Sequence, residues 1–492
     1  MELLSYAATL KALLHFTETP STQLAKYVEY DISYISKWTN GVKLPSSRSI
    51  DEINTKMGRY FAKLIIEHHR ESEFCSRFAL RNSDDLAFEI SQHLNAAYRN
   101  SIQKSTPLIE SMPHTVLMTS GQNMGQLLCN LLNQKDISIS EPQELIFYND
   151  FCMLCDVDFW SGLQDISLDM PLNVYIGLNL HRIAETPNYL GQLYTTLNKY
   201  ISWDVTIFPI ESTQSNNFIL YKNKFMLQYT FLPNKDILCT CIENAAILQS
   251  VYEKCAIEKL KQASLLHSVK TFWQFDPGYR MSFYSTKTFF FFLTNGMEYL
   301  LPQEVFDNLQ KQLPTEEKFI IEQLRTTWNE IVNTSQLHIV LPFSSLMEYL
   351  ETGYIDLTEF QYRLSASERY AHIQYVLKQL ERNTSISIGI LTSSPNTIHS
   401  EKGNLSFYSN YKTSFFKKNS RVIPVGQNTF YMIDDSHLNQ LFLNFFQQLT
   451  QTPQYHEYNR DELTQKYELY KPFIDKILNL SSSRLSDTAI YH

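Results

Sequence analysis

Two cysteine pairs, one pair of acids and two polar loops are the places where this chain could do chemistry. Cys152-x-x-Cys155 and Cys239-x-Cys241 have spacings that suit four thiolates on zinc. Their surroundings read otherwise. Phe151-Cys-Met-Leu-Cys155 is apolar apart from its thiols, and Cys239 and Cys241 alternate onto one face of a strand. Buried thiols are therefore expected, and no metal or cofactor is assigned. Asp434-Asp435 invites a metal or acid–base reading, but both stand directly before Ser436, where carboxylates favour a helix start through its dipole. His68-His69 lies among charges in a helical stretch and reads as solvated. In α/β proteins small ligands bind beyond the carboxyl ends of strands. There lie Asn179, His181 and Arg182 in one region, and Thr392, Ser393, Ser394 and Asn396 in another. No P-loop, dinucleotide fingerprint, nucleophile elbow or H-E-x-x-H string occurs, so no enzyme is expected.

The most informative stretch runs from Ser21 to Pro45, STQLAKYVEYDISYISKWTNGVKLP. Ser21 is placed to cap a short helix that turns Leu24, Ala25 and Val28 inward. Glu29-Tyr30 makes a turn, and Asp31 caps a second helix that buries Ile35 and Trp38. Gly41 stands where a helix ends in a left-handed residue, and Pro45 delays the next start. Ser47 or Ser49 caps a third helix with Ile53, Met57 and Phe61 as its stripe.

Two short helices across a tight turn form a helix-turn-helix. The L-A pair followed by I-S-x-W-x-x-G-x-x-x-P resembles the phage-repressor-like (XRE/Cro) helix-turn-helix family over about residues 5–65. The resemblance implies that the second helix enters a DNA major groove, with Ile32, Ser33, Tyr34 and Lys37 toward bases or adjacent phosphates. It also implies that Ser21, Gln23, Asn40 and Lys43 hold the backbone. Glu29 departs from the glycine usual at the turn, at a cost of about 1 kcal/mol if the backbone is left-handed there. Ile32 and Tyr34 lack the bidentate groups that discriminate bases strongly, so modest specificity per half-site, reinforced by a homodimer, is expected.

These residues must be positioned by a chain of 492 residues, too long for one core. Hydrophobic residues make 43% and charged ones 19%, the mix of a folded protein. Seven cysteines, an odd number, do not suggest a disulfide framework, and neither a signal peptide nor a membrane span is legible. A cytoplasmic location without membrane contact is expected. The net charge of −9 divides into +2 over residues 1–65 and an acidic remainder, which suits an anionic partner for the head.

The expected fold class is multidomain α+β: an N-terminal all-α helix-turn-helix bundle followed by an α/β region, arranged as two similar α/β units. The boundaries read as 1–66 for the helix-turn-helix, 67–105 for a helical connector, 106–313 and 314–480 for the two units, and 481–492 for a tail. Tyr175-Ile-Gly-Leu-Asn179 and Ser387-Ile-Gly-Ile-Leu391 echo each other, as do Cys241-Ile-Glu-Asn244 and Met432-Ile-Asp-Asp435. The expected function is a bacterial or phage-type transcriptional regulator that binds double-stranded DNA as a homodimer and answers to a small-molecule or peptide effector. Two alternatives stay open: an enzyme that its helix-turn-helix delivers to DNA or RNA, and a protein-interaction scaffold.

Overall fold

The computed structural model describes residues 6–41, 43–46, 49–68, 70–78, 85–105, 115–134, 143–163, 172–211, 217–270, 282–357, 360–392, 403–424, 426–484 and 490–491. The protein is a multidomain α+β chain that divides into two units, residues 1–112 and 113–492.

The first unit is helical: α1 (Tyr6–Phe16), α2 (Ser21–Val28), α3 (Ile32–Thr39), α4 (Ile50–Glu67), α5 (Glu71–Phe78) and α6 (Leu86–Ser105). The inward residues expected of α2 and α3 are buried, as are Ile53, Met57 and Phe61 of α4. Full burial of side chains such as Ile35 contributes about 1.5–3 kcal/mol each. Asp31 caps α3 by accepting the Ser33 N–H at 2.8 Å. Glu29 adopts the left-handed conformation (φ 62°) at the end of α2, and Gly41 does so after α3 (φ 71°). Ser21 does not cap α2: it is the first helical residue, and Pro20 precedes it without a side-chain bond.

The expected connector, 67–105, is part of this bundle. Phe74, Phe78, Leu86, Ile90, Leu94 and Tyr98 share one core with α1 to α4. The Tyr98 hydroxyl donates to Pro45 O at 2.9 Å, and Asn54 Nδ2 donates to Asn95 Oδ1 at 2.6 Å. A helix-turn-helix of about 60 residues has little interior of its own, and α6 completes it.

In the second unit the strands are β1 (Thr115–Ser120), β2 (Gln143–Asp150), β3 (Leu172–Leu178), β4 (Trp203–Pro209), β5 (Asn217–Tyr221), β6 (Phe225–Phe231), β7 (Asp236–Ile242), β8 (Leu266–Val269) and β9 (Thr288–Phe292). They continue with β10 (Gln336–Pro342), β11 (Tyr354–Leu357), β12 (Phe360–Arg363), β13 (Ile386–Leu391), β14 (Leu405–Ser409), β15 (Ser414–Lys418), β16 (Phe430–Ile433), β17 (Tyr455–Tyr458) and β18 (Ile490–Tyr491). Fifteen of them form one sheet in the order β1-β7-β6-β5-β2-β3-β4-β8-β16-β15-β14-β9-β10-β13-β17, while β11, β12 and β18 form a small second sheet.

The large sheet repeats one topology. β2, β3 and β4 run parallel, β5-β6-β7 form an antiparallel meander beyond β2, and β8 lies antiparallel outside β4. In the second half β9, β10 and β13 run parallel, β14-β15-β16 form the meander beyond β9, and β17 lies antiparallel outside β13. β8 belongs to both halves, because its other edge pairs with β16. The division expected at 313/314 therefore moves upstream of β9, and the two units form one continuous sheet.

Of the two sequence echoes, the one ending in Asn244 and Asp435 joins equivalent strands, β7 and β16. Asn244 and Asp435 each cap the helix that follows, accepting the N–H groups of Ile247 (3.1 Å) and Leu438 (2.8 Å). The glycine-strand echo does not join equivalents. β3 is the middle parallel strand of its half, whereas β13 is the outer one, so its counterpart is β4. Phe289 to Phe292 of β9 are all buried, as both faces of a parallel sheet require. Ser365 and Glu368 form the expected capping box, while Pro314 rather than Thr315 precedes the helix Thr315–Thr334. Among the described residues, no helix is long and apolar enough to cross a membrane.

Candidate nucleic-acid interface

α3 is held from behind and open in front. Ile35 and Trp38 anchor it in the bundle, and Asp31 fixes its first turn. Hydrogen bonds from Ser33 hold the Asp31 carboxyl below the usual carboxylate range. The opposite face carries Ile32 and Tyr34, 46% and 42% exposed, together with exposed Ser33, Lys37 and Asn40. Lys37 Nζ lies 5.6 Å from the Tyr34 ring centre, and Tyr34 leans on Trp38 at 6.3 Å, so the aromatic ring is braced. Lys43 is exposed beyond the helix, its N–H donating to Lys37 O at 3.3 Å. Gln23 is exposed on α2 and Ser21 half-buried at its start.

The eight residues singled out in the sequence thus lie on α2, on α3 and just beyond it, within one unit. Exposed Ser36 belongs with them; its place one turn after Ile32 and Ser33 was the available signal. Lys26 adds a further exposed cation on α2. Glu29, at the turn before this helix, is paired with Lys56 at 3.2 Å. The arrangement offers cations for phosphates and hydroxyl, apolar and aromatic groups for base edges. His68 is exposed just after α4, and His69 lies outside the described residues.

The ligand loops are partly assembled. Asn179 caps the helix Leu180–Glu185, accepting the Arg182 N–H at 3.0 Å, and its own N–H donates to Asp150 Oδ1 at 3.0 Å. Arg182 pairs with Asp150 at 3.4 Å and with Asp156, which also accepts the Tyr189 hydroxyl. Burial pushes the Asp150 carboxyl up. The guanidinium is thus committed to two carboxylates, and exposed His181 pairs with Glu185 at 3.4 Å. In the other loop Thr392 Oγ1 donates to Gln454 O at 3.0 Å, while Ser393, Ser394 and Asn396 lie outside the described residues.

A cavity of about 380 Å³ opens at the seam between the halves, at the amino ends of β3 and β4 and thus opposite to the end expected. Asn173, Asp204, Lys261, Ser264 and His267 line it. Asp434 accepts from Ser264 Oγ at 2.8 Å and lies 2.6 Å from His267 Nδ1, so it serves this wall while Asp435 alone caps the helix. The short strand Leu266-His-Ser-Val269 gave no pattern from which to foresee it.

Cys152, Cys239 and Cys241 are buried and Cys155 is half-buried. Burial pushes the thiols of Cys152, Cys155 and Cys239 up, Cys239 to about 12, which disfavours thiolate ligands. Among the described residues, no group of three or more His, Cys, Asp or Glu is placed to hold a metal.

No protein-family model matches the chain, and no curated protein matches it significantly. Among solved structures it is similar to TrmBL2, described as an archaeal chromatin protein with a novel mode of DNA binding. The identity is 10% and the TM-score 0.22, over 40% of this chain and 65% of that one. So slight a likeness assigns neither fold nor function.

Proposed function

We propose that the chain is a sequence-specific DNA-binding transcriptional regulator without a catalytic step. α3 is the reading helix, a homodimer presents two of them, and the sheet unit supplies dimer contacts and an effector site. One observation carries the reading: α3 has its inner face fully engaged by Ile35 and Trp38 while Ile32, Ser33, Tyr34, Ser36 and Lys37 stand outward. A helix needed only for packing has no use for that set on one face.

The test is fluorescence anisotropy of the full chain on DNA from upstream of its own coding region, against scrambled DNA, at two salt concentrations. The expected result is a preference of about a hundredfold or more, the range of specific binders. A Ser33→Ala/Tyr34→Ala double variant should fall to the scrambled level. Equal binding of both DNAs by the wild type, or none at all, overturns the reading.

A further inference from the structure

We propose that two copies of the chain join edge to edge through β1, each β1 pairing antiparallel with the other about a twofold axis. The proposal rests on the dimeric reading above and supplies its surface.

Among the described residues the large sheet has two open ends, built differently. β17 is Tyr455-His-Glu-Tyr458, with polar His456 and the charged Glu457 exposed, and an exposed charge keeps an edge from accepting another strand. β1 is Thr115-Val-Leu-Met-Thr-Ser120, with no charge and no proline. Val116 is 61% exposed and Met118 73%, and Leu238 of β7, opposite Met118, is 41% exposed. The three make an apolar strip along this edge.

The fold itself shows what covers such a strand. β1 and β8 hold equivalent places: each precedes the three parallel strands of its half and pairs antiparallel with the last strand of the following meander. The other edge of β8 is covered by β4, an antiparallel strand from the neighbouring half. Carried to β1, the missing neighbour is an antiparallel strand of a further repeat. Among the described residues every strand of both halves is already placed, so that repeat comes from a second copy. Of the two strands that a second copy's large sheet leaves open, β17 brings a charge and β1 brings its own apolar strip. Matching exposed side to exposed side requires that residues of like parity face each other. With the axis at Leu117, Val116 faces the partner's Met118, and the reverse. The two Thr115 residues then stand about 14 Å apart along the strands, at about 3.4 Å per residue, which separates the two chains as they lead back to their heads.

Sedimentation of the full chain tests the interface without DNA. The wild type should sediment at twice its 57.6 kDa at micromolar concentration. Met118→Lys should sediment as the single chain and keep the wild-type circular dichroism spectrum, because that side chain is exposed in one copy. Mixing equal amounts of Met118→Lys and Met118→Glu should restore the dimer, since opposite charges then meet diagonally across the axis. A monomeric wild type, or a dimer unmoved by Met118→Lys, overturns the proposal. On DNA bearing two half-sites, Met118→Lys should bind roughly a hundredfold more weakly than the wild type, as loss of bivalency demands. A wild type that dimerises through β1 and ignores DNA upholds the interface and overturns only the regulator.

Discussion

The two halves of the sheet share a strand order and differ in where they keep their charges. In the first half Glu144 pairs with Lys222 at 2.7 Å, and Arg182 with Asp150 and Asp156, all with solvent reaching at least one partner. In the second, Lys417 and Glu298 form an ion pair with side chains only 5% and 7% exposed, and the Tyr408 hydroxyl donates to Glu298 at 2.6 Å. Lys418, the next residue of β15, turns to the opposite face and reaches across the seam. Its fully buried Nζ donates to Trp203 O at 2.8 Å and lies 4.3 Å from the Tyr431 ring centre. Two adjacent lysines are thus buried on both faces of one strand without changing the strand order. Backbone pairing sets that order, and side-chain chemistry is free to differ within it.

The widest separation between the halves should come from Lys417→Met. It leaves the buried Glu298 carboxylate without its cation, and removal of one partner from such a pair costs about 3–5 kcal/mol. Urea unfolding of the sheet unit reads it. Lys222→Met, at the rim of the first half, should cost about 1 kcal/mol or less. Similar losses in both would erase the contrast.

The two glycine strands sharpen it at smaller scale. A Cβ on Gly177 would come within 2.4 Å of Asn149 O, a backbone atom that cannot give way. One on Gly389 meets the far end of the Tyr455 ring, at the open edge of the sheet, where the ring can swing aside. Gly177→Ala should therefore cost about 2–3 kcal/mol and Gly389→Ala under about 1 kcal/mol, on the scale of overpacking. Melting temperatures of the two variants decide it; the reverse order would show that β17 is the more rigidly held strand.

The smallest effect concerns pH. Burial lowers the Lys418 ammonium to about 8, below its ordinary 10.5. Between those values the unfolded chain binds more protons than the folded one, so this group adds stability as pH rises through the window. From pH 8 to 10 the wild type should gain in melting temperature on Lys418→Met. Parallel curves would mean that Lys418 titrates normally.

The head was legible because its signals are local. Leu24, Ala25, Val28, Ile35 and Trp38 fall at helical spacing within 15 residues, and Gly41 marks the stop. α6 was missed as part of the bundle because its partners Tyr6, Pro45 and Asn54 lie some 40 to 95 residues away. In the body the strands were readable one by one, but their order was not. Pairing joins β8 to β16 across about 160 residues, and no short-range pattern encodes it. The glycine echo misled for the same reason, since β3 and β13 are alike in sequence texture and unlike in place. The polar seam escaped because Asp204, His267 and Asp434 come from three distant segments.

β8 has one further consequence, in the time the chain takes to be made. Its first edge closes on β4, already synthesised about 60 residues before, but its second waits for β16, about 160 residues later. At 5–20 residues per second that interval is on the order of 10 to 30 s. Throughout it the growing chain carries a bare strand edge in the middle of its future sheet, open to whatever else the ribosome's surroundings offer.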